Sequence, residues 1–128
     1  MKSPWKQLLA LEPDREYLVL ASLIPPKRRT ATWRLFKGSR AVAAQLRETD
    51  GVAGFSMLAR PLRKEYATLS VWLDETKLKA FATSLPHARL QDELAPEMGE
   101  TKFIRWTVRG REGRPSWNEA LDRLAAGR

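Results

Sequence analysis

The chain has no cysteine among its 128 residues, which excludes a disulfide framework, a thiol nucleophile and thiolate metal ligation together. It has one histidine, His87, so no pair of imidazoles is present to build a zinc or non-haem iron site, and no metal site is expected. No apolar run approaches the ~18–20 residues that a membrane-spanning helix requires. Met1-Lys2-Ser3-Pro4-Trp5 opens a polar segment rather than the apolar core of a secretion signal. A cytoplasmic protein with no membrane partner is the expectation. A Gly-rich phosphate loop and a nucleophile-elbow serine are also missing. What is present is a chain with 43% hydrophobic residues, enough for one real core and too short for two, so residues 1–128 read as a single domain.

Negative charge is the scarcer sign, 15 acidic against 23 basic residues for a net charge of +8. Such a balance attracts anions at long range, and nucleic acid has to be considered. The positives gather at Lys27-Arg28-Arg29, at Arg60-Pro61-Leu62-Arg63-Lys64 and at Arg109-Gly110-Arg111 with Arg114. All three groups fall between periodic segments, where charge keeps a protein soluble, so no specific nucleic-acid partner is expected. The carboxylates Asp92, Glu93, Glu97 and Glu100 lie near Arg89 and Lys102 and read as a solvated face.

Taken in order, Pro4 to Leu11 reads as a short helical turn, broken by Glu12-Pro13-Asp14. Glu16 to Ile24 is a strand apolar on both sides, stopped by Pro25-Pro26. From Thr32 to about Arg47 the helical period collects Leu35, Phe36, Ser39, Val42, Ala43 and Leu46 on one face, with Trp33 off its edge as a rim or oligomer contact. Val52 to Ala59 is the second strand, with Gly54 marking a bulge or a close backbone approach. The short basic connection through Pro61 predicts an antiparallel hairpin with the strand Tyr66–Trp72. That strand places Ala67, Leu69, Val71 and Leu73 on one face and Tyr66, Thr68, Ser70 and Trp72 on the other. A helix with Leu78, Phe81 and Leu85 follows, continuing from Pro86-His87 to Leu94 and closing at Glu97-Met98-Gly99. Thr101 to Arg109 is the fourth strand, with Ile104, Trp106 and Val108 opposite Phe103, Arg105 and Thr107. A capping box at Ser116 and Glu119 starts a last helix, whose stripe of Trp117, Ala120, Leu121 and Leu124 predicts docking on the body or on a partner subunit.

The order is β-α-β-β-α-β with an extra C-terminal helix, the ferredoxin-like arrangement of the α+β class. Ser70-Val71-Trp72-Leu73-Asp74-Glu75, with Leu78, Phe81, Ser84 and His87 behind it, resembles the strand, Trp, helix, Ser, His signature of the antibiotic-biosynthesis monooxygenase-like proteins. Phe103-Ile104-Arg105-Trp106-Thr107-Val108 is similar to uncharacterised members of the same group. The resemblance covers roughly Arg15 to Val108 in topology and about twenty residues in motif. It implies a dimeric α/β barrel, a homodimer whose sheets close on each other, with a pocket between sheet and helices in each subunit. The first strand agrees, because two main helices cover one face of the sheet and a second sheet is expected to cover the other.

The resemblance further implies a cofactor-independent monooxygenase acting on an aromatic or phenolic small molecule. In that chemistry the substrate's own carbanion reduces dioxygen, and the protein supplies desolvation, orientation and a proton path. His87, on a stripe with Leu90, Gln91 and Leu94, is the candidate proton-transfer residue. Trp72, Tyr66, Trp106 and Phe81 are candidates for the substrate-binding wall, and Arg105 for contact with an anionic oxygen. No cofactor is expected. The haem-degrading relatives carry their tryptophan where Phe81 stands and their iron-ligating histidine where Gln91 stands, so haem would have to use His87, one turn earlier. A non-catalytic or haem-binding dimeric ligand-binding protein stands as the alternative. An RNA-recognition module shares the topology, but Lys64-Glu65-Tyr66-Ala67-Thr68-Leu69-Ser70 lacks its alternating aromatic platform.

Overall fold

In a computed structural model, residues 2–84, 89, 92–93 and 95–127 are described. Five strands form one antiparallel sheet: β1 (Lys6–Gln7), β2 (Glu16–Ile24), β3 (Val52–Arg60), β4 (Glu65–Trp72) and β5 (Lys102–Arg109), in the order β1-β3-β4-β2-β5. The α-helices bounded within the described residues are α1 (Arg29–Glu48), α2 (Glu75–Ala82) and α3 (Trp117–Ala126). Helix α1 crosses from β2 to β3 while β4 inserts between them, so the ferredoxin-like split βαβ is present and carries an additional C-terminal helix. No helix among the described residues is long and apolar enough to cross a membrane.

Register decides which side chains share a face. Leu18, Leu20, Ser22 and Ile24 lie opposite Trp72, Ser70, Thr68 and Tyr66. With Phe55 and Met57 these pack toward α1 and α2. The intervening residues Val19 and Ala21 pair with Val71 and Leu69 and face the other way, and Val19 pairs on its other side with Trp106. Helix α1 presents the predicted stripe, with Leu35, Ser39, Val42 and Leu46 buried and Trp33 exposed at its edge. Helix α2 starts where Asp74 Oδ1 accepts from Lys77 N at 2.9 Å, satisfying one of the amides a helix start leaves open.

The second face is covered within the subunit by the chain's own termini. Ala120 and Leu124 of α3 are buried against Tyr17, Val19, Leu69, Val71, Ile104, Trp106 and Val108, with Trp5, Leu11 and Trp117 packed around them. Val19 and Leu69 have no exposed surface at all.

The N-terminal segment is not a helical turn. Ser3 N donates to Met57 O and Leu8 N to Ala53 O, each at 2.8 Å, so the arm runs along the outer edge of β3 as β1. An edge strand offers an open row of hydrogen-bonding groups, and the arm satisfies them. Gly54 explains the fit. A Cβ there would lie 2.6 Å from Trp5 Cζ2, and the β3–β4 register shifts between Val52 and Gly54, so both the bulge and the close approach read from the sequence occur. The capping box at α3 is half formed: Ser116 Oγ accepts from Glu119 N at 3.1 Å, while the Glu119 carboxylate turns to Arg123 Nε at 3.3 Å.

The basic group Arg109, Arg111 and Arg114 is engaged within the chain. Arg111 pairs with Asp14, Arg109 Nη1 donates to Asp14 O at 2.9 Å, and the Arg114 guanidinium lies 5.9 Å from the Trp5 ring centre. Arg60 pairs with Glu65 at 3.8 Å.

Candidate functional site

Between the sheet and helices α1 and α2 lies a cavity of about 340 Å³, within the size range of small-molecule sites. Its floor is built by β2, β3 and β4, through Leu20, Ser22, Phe55, Met57, Tyr66, Thr68, Ser70 and Trp72. Its roof is Leu35, Ser39, Val42 and Leu46 from α1 with Leu78 and Phe81 from α2. Met98, Phe103 and Arg105 stand among the remaining lining residues. A more open hollow on the outer side of Arg105, lined by Glu16, Leu18, Asp74 and Thr107 among others, is charged and shallow, and it holds none of the aromatic residues except Tyr17.

Trp72 and Phe81 form the aromatic wall. Their ring centres are 5.4 Å apart at an angle of 44°, a tilted contact of the kind aromatic pairs favour. Trp72 is 1% exposed, and its Nε1 donates to Ser70 Oγ at 2.7 Å, which fixes the ring plane against the strand. Tyr66 is buried at the other end of β4, with the Ser39 hydroxyl as its hydrogen-bonding neighbour. Burial pushes the Tyr66 hydroxyl up to about 12, the Ser39 contact opposing this only in part, so its proton stays on through the neutral range. The group is a neutral hydrogen-bond partner and not a base.

One of the sequence-derived candidates is placed elsewhere, and another is already paired. Trp106 lies on the opposite face, where the Arg123 guanidinium sits 4.5 Å from its ring centre and its Nε1 is buried without a hydrogen-bond partner among the described residues. The physical reason is alternation: Trp106 pairs with Val19, which shares a face with Val71 and not with Trp72. Arg105 does reach the cavity rim, but its Nη1 donates to Glu75 Oε1 at 2.6 Å. The Arg105 hydrogen bond, followed by the charge of Lys79, holds the Glu75 carboxyl below its ordinary value. Arg105 is therefore a gatepost at the cavity rim, tied to α2 through Glu75 rather than left as a free anion hook. His87, the catalytic candidate, lies outside the described residues, as do Leu85, Leu90, Gln91 and Leu94. Among the described residues no cluster of acidic or histidine side chains is arranged to hold a metal ion.

The sequence reading passed over the hydroxyls of the floor. Ser22 and Thr68 are hydrogen-bonded to each other across β2 and β4, and Ser70 lies two residues along. Ser22 and Ser70 are 4% and 8% exposed, a depth at which polar side chains need a reason to stay. Serine inside an otherwise apolar strand was the available signal.

No protein-family profile matches the sequence, and no curated protein does either. Solved structures do match. A provisionally named monooxygenase from Fusobacterium nucleatum superposes with a TM-score of 0.67 over 79% of this chain, at 9% identity; this chain spans 46% of that chain's length, about half. A provisionally named antibiotic biosynthesis monooxygenase from Nitrosomonas europaea gives 0.62 over 70% of this chain and 95% of its own, at 16% identity. An antibiotic biosynthesis monooxygenase gives 0.62 at 11% identity, over 70% of this chain and 95% of its own. The fold is that of the antibiotic-biosynthesis monooxygenase-like proteins. At these identities the likeness speaks for architecture, and the function has to be argued from the cavity.

Proposed function

We propose that the protein acts as a cofactor-independent monooxygenase on a flat aromatic or phenolic small molecule held in the cavity between the sheet and helices α1 and α2. The observation that carries the reading is the cavity's chemistry: a mostly apolar lining with Trp72 and Phe81 in tilted contact and a neutral Tyr66 at the far end. Such a wall stacks a ring and strips it of water, which strengthens every polar contact made inside. The fold shared with monooxygenases supports the same reading.

For an anthrone-type substrate the step balances without a cofactor. The ring CH₂ loses a proton, the resulting carbanion reduces dioxygen, one oxygen atom stays as a new carbonyl and the other leaves as water with the two methylene hydrogens. The protein's part is to hold the ring, exclude bulk water and take the first proton. We assign the proton to His87, the chain's single imidazole, on the chemistry of that side chain.

One observation favours carriage without turnover as the second reading: Tyr66, the buried titratable group of the cavity wall, keeps its proton near neutrality and cannot act as the base. Oxygen uptake with 1,8-dihydroxyanthrone separates the two. The wild-type chain is expected to accelerate uptake over buffer, and Ser70→Phe, which fills the floor, is expected to abolish the acceleration. Binding of the anthrone with uptake equal to buffer establishes carriage and overturns the oxygenase.

A further inference from the structure

Among the described residues the cavity floor holds more hydrogen-bond donors than are used. A hydroxyl carries one donor proton. Ser39 spends its proton on Phe36 O at 2.5 Å. The Ser22 and Thr68 hydroxyls share a single bond, so whichever donates, the other's proton has no acceptor among the described residues. Ser70 receives the Trp72 indole N–H at 2.7 Å, and its own proton has no acceptor among the described residues. These two surplus donors lie on one strand face about 7 Å apart, the spacing of alternate strand positions. Around them the lining is apolar: Leu20, Met57, Leu35 and Phe81.

Surplus donors in an apolar enclosure select for an acceptor, because a buried donor left unmade is costly and a ligand oxygen relieves it. We infer that the Ser22–Thr68 pair and Ser70 are the specificity-determining contacts of the cavity, donating to a carbonyl or other acceptor oxygen on an otherwise apolar, fused-ring ligand. This rests on the proposed reading of the cavity as a ligand site. The Trp72 indole has a further part in it. By occupying a lone pair of Ser70 Oγ it leaves the hydroxyl to donate, so a residue of the aromatic wall also orients the group that reads the ligand's oxygen.

The test compares two ligands that differ by one carbonyl, 1-tetralone and tetralin, by titration calorimetry. The clean perturbation is Ser22→Ala with Thr68→Val, which removes both members of the pair and leaves neither orphaned. The double variant is expected to bind 1-tetralone about 2- to 10-fold more weakly, the range of one net hydrogen bond, with tetralin affinity changed less than about twofold. Ser70→Ala is expected to do the same, and Ser70→Thr, which keeps the hydroxyl, to restore tetralone binding. Retained tetralin binding in each variant is the folding control. If wild type and variants bind both ligands with unchanged affinities, or lose both equally, the hydroxyls read nothing and the inference falls while the cavity reading stands. If the wild-type chain binds neither ligand, the cavity reading falls and takes the inference with it.

Discussion

Tyr66 gives a stability prediction that tests how dry the cavity wall is. Its hydroxyl has an ordinary value of 10.0 and is raised by burial to about 12. Below pH 10 the group is neutral in the folded and the unfolded chain and adds no pH dependence. Between pH 10 and 12 the unfolded chain releases the proton while the folded chain holds it, so the unfolded state binds fewer protons and stability falls as pH rises. A shift of about two units is worth roughly 3 kcal/mol once both limits are passed, of which about 1.4 kcal/mol is lost by pH 11. That is a sizeable part of the ~5–15 kcal/mol that holds a domain together. Tyr66→Phe removes the titration and leaves every other group in place. Urea unfolding of the two proteins at pH 8 and pH 11 is the assay: the wild type is expected to lose about 1.4 kcal/mol more than the variant over that interval. Equal losses would show that the Tyr66 hydroxyl is hydrated in the folded protein, and the dry-wall argument for the cavity would be wrong. The same shift predicts that Tyr66→Phe leaves the alkaline limb of any pH–rate profile unmoved below about pH 11.

Removing a positioned acid or base typically costs ~10²–10⁴-fold in rate, so His87→Ala is expected to lower turnover of an anthrone substrate by that much with little change in unfolding free energy; unchanged oxygen uptake removes His87 from the mechanism. Leu124 is 2% exposed under the second face of the sheet, so Leu124→Ala should destabilise the chain by about 2–5 kcal/mol in urea unfolding, whereas a loss under about 0.5 kcal/mol, the range of a surface site, would mean that α3 does not cover that face. Glu75→Gln unties Arg105 across an exposed ion pair and is expected to change stability by less than about 1 kcal/mol, with a loss much above that showing a structural role for the gatepost.

The strand Tyr66–Trp72 was the most legible part of the sequence, because its period of two sorts residues onto faces without reference to the rest of the chain. The hairpin with Val52–Ala59, the stripe of α1 and the special role of Gly54 followed from equally local signals. Trp106 shows where such signals end. Alternation correctly set it opposite Phe103 and Arg105, but which face of the sheet carries the cavity depends on pairing with Val19, a contact made across the sheet. The partner of Arg105 stands 30 residues away on α2, and no spacing rule reveals it. The stripe on α3 was visible, yet its destination was not, and a partner sheet was expected where α3 itself lies. A two-residue strand such as β1 has no period to read; it exists because β3 has an edge to satisfy.

The central claim is that the space bounded by Trp72, Phe81, Tyr66 and the floor hydroxyls holds an aromatic ligand. A crystal structure of the protein soaked with 1,8-dihydroxyanthrone tests it most directly. The account predicts ring density in the cavity, stacked on Trp72, with an oxygen within hydrogen-bonding distance of Ser70 Oγ or of the Ser22–Thr68 pair. Anthrone density confined to the open hollow outside Arg105, or a cavity filled by ordered water while the anthrone is bound elsewhere, would contradict it.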